Sequence, residues 1–110
     1  MNSKLKKNNH LTFNEHCYEL LLKIPKGRVS TYKAIAEALN SKAYQAVGNA
    51  MNSNPNPVSV PCHRVVNTDG RLGGYAFGSD RKIELLTEEG IVILDGKVQD
   101  FKRVLFDFKE

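Results

Sequence analysis

Cys62 and His63 stand side by side in Pro61-Cys62-His63-Arg64-Val65, a thiol next to an imidazole in a chain with two cysteines and three histidines. A free thiol, with a pKa near ~8.5, is only a few per cent thiolate at neutral pH, so a reactive cysteine needs a neighbour that takes its proton or stabilises its charge. His63 and Arg64 are both eligible. The competing reading is a packed, inert thiol, because free cysteine is among the most often buried residue types. Backbone direction constrains the chemistry. If 61–65 is extended, Cys62 and His63 point to opposite faces, and the ring reaches the sulfur only through a kink or a bridging water.

The elements around this pair follow from local signals. Asn54-Pro55-Asn56-Pro57 excludes helix and central strand, leaving a rigid loop that delivers the chain to Cys62. Val65-Val66 reads as a short buried strand and Asn67-Thr68-Asp69-Gly70 as a turn. Gly73 to Gly78 sets glycines around Tyr75 and Phe77, which suits a loop wrapped closely around something flat, or a surface loop. Upstream, Thr12 and Glu15 form a capping box that opens a helix to about Ile24, stopped by Pro25 and Gly27. Cys17 falls on its apolar stripe with Phe13, Leu20, Leu21 and Ile24, so it is expected in the core. Ser30 or Thr31 caps a second helix, with Ile35, Ala36 and Leu39 apolar, and a third from about Ala43 to Ser53 buries Val47, Ala50 and Met51. This pair is a helix-turn-helix or an ordinary helical hairpin. Ser79 is expected to cap a helix to Glu89, closed by Gly90, with Ile83, Leu85 and Leu86 inward. Asp95-Gly96 then marks a hairpin between Ile91–Leu94 and Lys97–Phe101. The fold class is mainly α with a little β: a helix-turn-helix plus a C-terminal hairpin, the winged-helix architecture.

Length and composition bound the rest. With 110 residues, 41% apolar and 25% charged, the chain holds one small core. Residues 1–11 are expected to be a flexible basic N-terminus and 12–110 a single domain. No apolar run approaches a membrane span and no signal-peptide pattern follows the lysine-rich start, so a cytoplasmic location is expected. Residues 1–60 carry eight Lys/Arg against three Asp/Glu, whereas 61–110 carry eight against nine. That asymmetry points to a polyanion such as nucleic acid or to a solvated lysine face. Two cysteines and three scattered histidines offer no metal-site spacing, so neither metal nor other cofactor is expected. No spare apolar helix face is visible, so the expected state is a monomer.

The ordered set Tyr32, Asn54-Pro55, Pro61-Cys62-His63-Arg64-Val65-Val66, Gly74-Tyr75 and Glu89-Gly90 resembles the O6-alkylguanine-DNA alkyltransferases, from about Phe13 to Gly90. The resemblance implies repair of double-stranded DNA by irreversible transfer of the alkyl group from guanine O6 to Cys62, with O4-alkylthymine open as a second substrate. It implies that His63 takes the thiol proton through water while Glu89 holds and polarises the ring, in the manner of a triad. Tyr32 would donate to guanine N3. The Ala76 amide would face O6, and the carbonyls of Cys62 and Val65 would accept from the exocyclic amine. Tyr75 and Phe77 would complete the base pocket, and Asn54 would tie the loop before Cys62 to the helix-turn-helix. The target base would be flipped out of the duplex. The third helix would enter the minor groove, kept slim by Ala46, Gly48 and Ala50. Lys33, Lys42 and Arg64 would add DNA contacts.

Two departures from the family pattern bear on function. An arginine usual in the third helix is replaced by Gln45, which implies weaker stabilisation of the flipped base, with Tyr44 available to stack beside it. Phe77 stands where a bulky ring would narrow the pocket, so methyl is expected to react faster than benzyl. The related alkyltransferase-like proteins bind alkylated DNA without transfer. They replace the cysteine, so Cys62 favours transfer.

Overall fold

The computed structural model describes residues 11–109; the expected basic N-terminus lies almost wholly outside the described residues. Helix α1, Phe13–Leu21, begins with the capping box: the Thr12 hydroxyl accepts from the Glu15 amide at 3.1 Å and the Thr12 amide donates to the Glu15 carboxylate at 2.9 Å. Such a cap contributes about 1 kcal/mol. After the Gly27 turn, the short strand β1, Ser30–Thr31, leads directly into α2, Tyr32–Ala38, where the Thr31 hydroxyl accepts from the Ala34 amide at 3.0 Å. Helix α3, Tyr44–Asn52, packs on both α1 and α2, and Tyr18 of α1 donates its hydroxyl proton to the Ala50 carbonyl at 2.9 Å. Cys17, Leu21, Ile24, Ile35, Ala36, Val47, Ala50 and Met51 bury one core, which Cys62 and Val65 join.

The chain between the prolines and the strand differs from the extended run expected there. Cys62–Arg64 forms one turn of 3-10 helix, with the Val65 amide donating back to the Cys62 carbonyl. Strand β2, Val65–Val66, then pairs in parallel with β1, Ser30 opposite Val65 and Thr31 opposite Val66. Alternation along β2 puts Val65 in the first core and Val66 in a second, with Val29, Leu72, Leu86, Ile91, Val98 and Val104. The 62–64 turn therefore sits at the seam of two cores.

Helix α4, Ser79–Glu88, corrects a second expectation. Its N-cap is Gly78, at φ +92°, with no side-chain cap, and Ser79 is already helical. Glu89 is its C-cap, and Gly90 at φ +91° closes it. The hairpin turns at Asp95-Gly96 as read but with shorter strands than expected, β3 (Ile93–Leu94) against β4 (Lys97–Val98), and Asp95 and Gly96 are both at positive φ as a type I′ turn requires. Beyond it the chain enters a short helix, α5, Phe101–Val104, instead of continuing as strand to Phe101. It then returns to the seam: the Val29 amide donates to Val104 at 3.0 Å and the Ser30 hydroxyl to the Phe106 carbonyl at 2.9 Å. Helix-turn-helix plus hairpin is the winged-helix arrangement.

Candidate active site and nucleic-acid interface

The site is assembled at the seam from the 62–64 turn and the end of α4. His63, fully buried, shares a 2.9 Å hydrogen bond between its Nε2 and Oε2 of Glu89, 26 residues away. The same carboxylate accepts from Arg64, Nε to Oε1 at 2.9 Å and Nη2 to Oε2 at 2.7 Å, a two-pronged fork that fixes its plane. Arg64 also donates from Nη1 to the Ile24 carbonyl at 2.8 Å, tying the carboxylate to the turn that follows α1. Arg64 was expected among the DNA contacts. Its guanidinium instead braces Glu89 from within, because the 3-10 turn directs it toward the helix end.

The electrostatics sort these groups into roles. Burial works against the Glu89 charge, but the hydrogen bonds from Arg64 and His63 outweigh it and hold the carboxyl below its ordinary value. An ionised carboxylate only accepts, so Nε2 of His63 carries the proton and Nδ1 is the free lone pair. Nδ1 is buried and has no hydrogen-bond partner among the described residues. Burial pushes the His63 pKa down, only partly countered by Glu89, so the ring is neutral at physiological pH. Burial raises the Cys62 thiol, partly offset by the Asn54 amide and the nearby Lys82 ammonium. Cys62 thus rests as a thiol, 4% exposed, beside a neutral base.

Ahead of Cys62, Asn54 donates from Nδ2 to the Val60 carbonyl at 2.7 Å and accepts from the Asn56 amide at 2.9 Å, bracing the proline loop just before the 62–64 turn. Tyr32, at the start of α2, reaches across to the Gly74 carbonyl at 3.4 Å, and burial, then the Cys62 charge, raises its pKa. A cleft of about 340 Å³ opens beside it, lined by Tyr32, Met51, Asn52, Asn67, Gly73 and Gly74 together with Gly48. Cys62 is not among the lining residues. Tyr75 is half-buried with its hydroxyl unpartnered, and Phe77 meets it edge-on at 5.8 Å. Phe77, expected to narrow the pocket, is 62% exposed and lines none of the clefts described. Ala76 is exposed in the same turn.

Helix α3 exposes Tyr44, Gln45, Asn49 and Asn52, with Ala46 and Gly48 half-buried; a Cβ added at Gly48 would meet nothing within 4 Å. Lys33 and Lys42 are exposed on α2 and in the turn before α3. Among the described residues no group of three His, Cys, Asp or Glu side chains is placed to hold a metal ion. No helix there is long and apolar enough to cross a membrane.

Sequence reasoning missed Lys82. Among the described residues it is the largest fully buried side chain, donating to the carbonyls of Val65, Leu72 and Gly74 at 2.7, 2.5 and 3.0 Å. The signal was its position: Lys82, Leu85, Leu86 and Glu89 share one helical stripe, so a lysine there faces inward.

A buried cysteine, an imidazole backed by a carboxylate and a winged-helix frame occur here together, and comparison with known proteins places that combination in a family. Residues 12–91 match the family model described as 6-O-methylguanine DNA methyltransferase, DNA binding domain, and the chain belongs to that family. It is 46% identical over 78 residues to the methylated-DNA–protein-cysteine methyltransferase of Methanosarcina barkeri, covering 70% of this chain and 49% of that one. It is 42% identical over 93 residues to a bifunctional methyltransferase/endonuclease of Picrophilus torridus, covering 84% of this chain and 31% of that protein. The chain thus spans half or less of the length of these relatives. Among solved structures, the O6-methylguanine-DNA methyltransferase of Pyrococcus kodakaraensis superposes with a TM-score of 0.68 at 44% identity, over 74% of this chain and 48% of that one. S. pombe Atl1, solved with damaged DNA containing O6-carboxymethylguanine, gives 0.76 at 29% identity, over 86% and 94%.

Proposed function

We propose that the protein repairs DNA by a single, irreversible transfer of the alkyl group from O6-alkylguanine to Cys62, with residues 12–110 as the DNA-binding and acceptor unit. The observation that carries this reading is the 2.9 Å His63–Glu89 bond, which leaves Nδ1 as the free lone pair of the residue next to a protonated, buried thiol. The Cys62 proton passes to Nδ1 through an intervening water. The sulfur attacks the alkyl carbon, forming the S–C bond as the C–O6 bond breaks. The departing guanine takes a proton at N3 from Tyr32, which His63 then restores, so the products are an S-alkyl cysteine and neutral guanine. Glu89, fixed by Arg64, stabilises the imidazolium formed on the way. Because the sulfur is buried, the base must leave the stack, at a cost of a few kcal/mol, and displace part of the contact between Tyr32 and the 73–77 loop to reach it. The exposed Gln45, Asn49 and Asn52 on α3, with Lys33 and Lys42, support α3 as the groove element. We read the working form as a cytoplasmic monomer.

A second reading, damage binding without transfer, is favoured by the superposition on Atl1 along nearly its whole length. Intact mass after incubation with an O6-methylguanine duplex separates the two. Transfer adds one methylene to the wild type and nothing to Cys62→Ser. Duplex binding with no mass change would sink the transfer reading.

A further inference from the structure

We infer that Lys82 is a positioning residue for the transfer proposed above, its ammonium holding the Val65 and Gly74 carbonyls in the geometry in which the extrahelical base and Tyr32 meet them. The inference rests on that reading. An ammonium has three donors, and here each has a carbonyl acceptor: Val65 on β2, directly after the acceptor turn, and Leu72 and Gly74 on either side of Gly73. One side chain thus sets the separation between the strand that follows Cys62 and the loop that faces it. The Gly74 carbonyl also accepts from the Tyr32 phenol at 3.4 Å, so Lys82 is one bond removed from Tyr32. The loop already presses on that ring: a Cβ on Gly73, at φ +70°, would stand 3.1 Å from the Tyr32 hydroxyl oxygen and 3.0 Å from Oδ1 of Asn67. A carbonyl has two lone pairs, so Val65 can receive Lys82 and a base amine together.

A fully buried charge with no carboxylate partner is costly, and a leucine or methionine would suit this helical stripe. Burial lowers the Lys82 pKa to about 8, with the Cys62 charge acting the other way. The titratable groups around it are Cys62 and His63 from the acceptor turn and Tyr32 from α2, through Gly74. Strand β2 and residues 72–74 bring no charged side chain, and on α4 itself Arg81 and Glu84 pair with each other at the surface. A neutral amine keeps only two donors. Deprotonation therefore releases one carbonyl and loosens the slot.

The test is the single-turnover rate of methyl transfer from an O6-methylguanine duplex, read by intact mass between about pH 6 and about pH 10, for the wild type and Lys82→Met. The wild-type rate should fall as pH rises through about 8, against the rise that thiol ionisation alone would give. Lys82→Met should be about 100-fold slower, lack that falling limb and bind an unmodified duplex, which α3 is proposed to contact, as tightly as the wild type. A wild-type rate that keeps climbing through this range, or a variant as fast as the wild type, would overturn the role of Lys82. The wild-type profile decides the matter even if the variant does not fold. Absence of transfer by the wild type at every pH would overturn the acceptor chemistry itself.

Discussion

Glu89 accepts from three nitrogens on two neighbouring residues, so its charge matters more than its shape. A Glu89→Gln substitution keeps an acceptor oxygen but leaves the Arg64 guanidinium, whose side chain is 15% exposed, without its counter-charge. Removing one partner of a largely buried pair costs about 3 kcal/mol of stability. It also withdraws the anion that orients the ring and stabilises its protonated form, so methyl transfer should slow by about 100-fold or more with duplex affinity unchanged. Single-turnover kinetics beside fluorescence anisotropy would show the split, and equal losses in both would assign Glu89 to DNA binding.

At the scale of the element, α3 shows how stability and binding can be opposed. Gly48 sits mid-helix with open space around its missing Cβ, so Gly48→Ala should stabilise the free protein by about 1 kcal/mol. The added methyl also thickens the face proposed to enter the groove, so duplex affinity should fall while the thermal midpoint rises. An unchanged affinity would move the DNA-contacting face elsewhere. Local rules made several elements legible. The Thr12–Glu15 box, the Asp95-Gly96 turn and the Cys17 stripe each depend on residues a few positions apart, and each appears as read. What escaped depends on distant partners. Nothing local tells that Arg64 meets Glu89 and Ile24, that 62–64 coils into a 3-10 turn, or that Ser30–Thr31 pairs with Val65–Val66. Ser79 failed as a cap because Gly78, at φ +92°, supplies the non-helical conformation one residue earlier. Glu89 was legible only through the family resemblance, since a glutamate at a helix end is otherwise a surface residue.

For the molecule as a whole, the buried site should set its response to acid. The folded-state pKa of His63 lies below 6.5, so on acidification the unfolded chain takes up that proton first. Its contribution to stability is full above pH 6.5 and is lost as pH falls through the lower folded value. Glu89, also lowered, acts in the same direction below 4.5. The urea midpoint should therefore drop between about pH 7 and about pH 5, and His63→Gln should flatten that slope. An unchanged slope would place the acid sensitivity elsewhere. The seam explains why one histidine could have such reach: β1, β2 and the returning 104–106 segment meet there, and both cores lean on it.

Cys17, the other thiol, is sealed in the first core with its pKa pushed up to about 11 by burial. Under the proposed chemistry each copy then has a single sulfur able to answer a lesion, and it answers once. A population of these molecules would behave as a dosimeter, its unmodified fraction recording how much alkylation the DNA has already met.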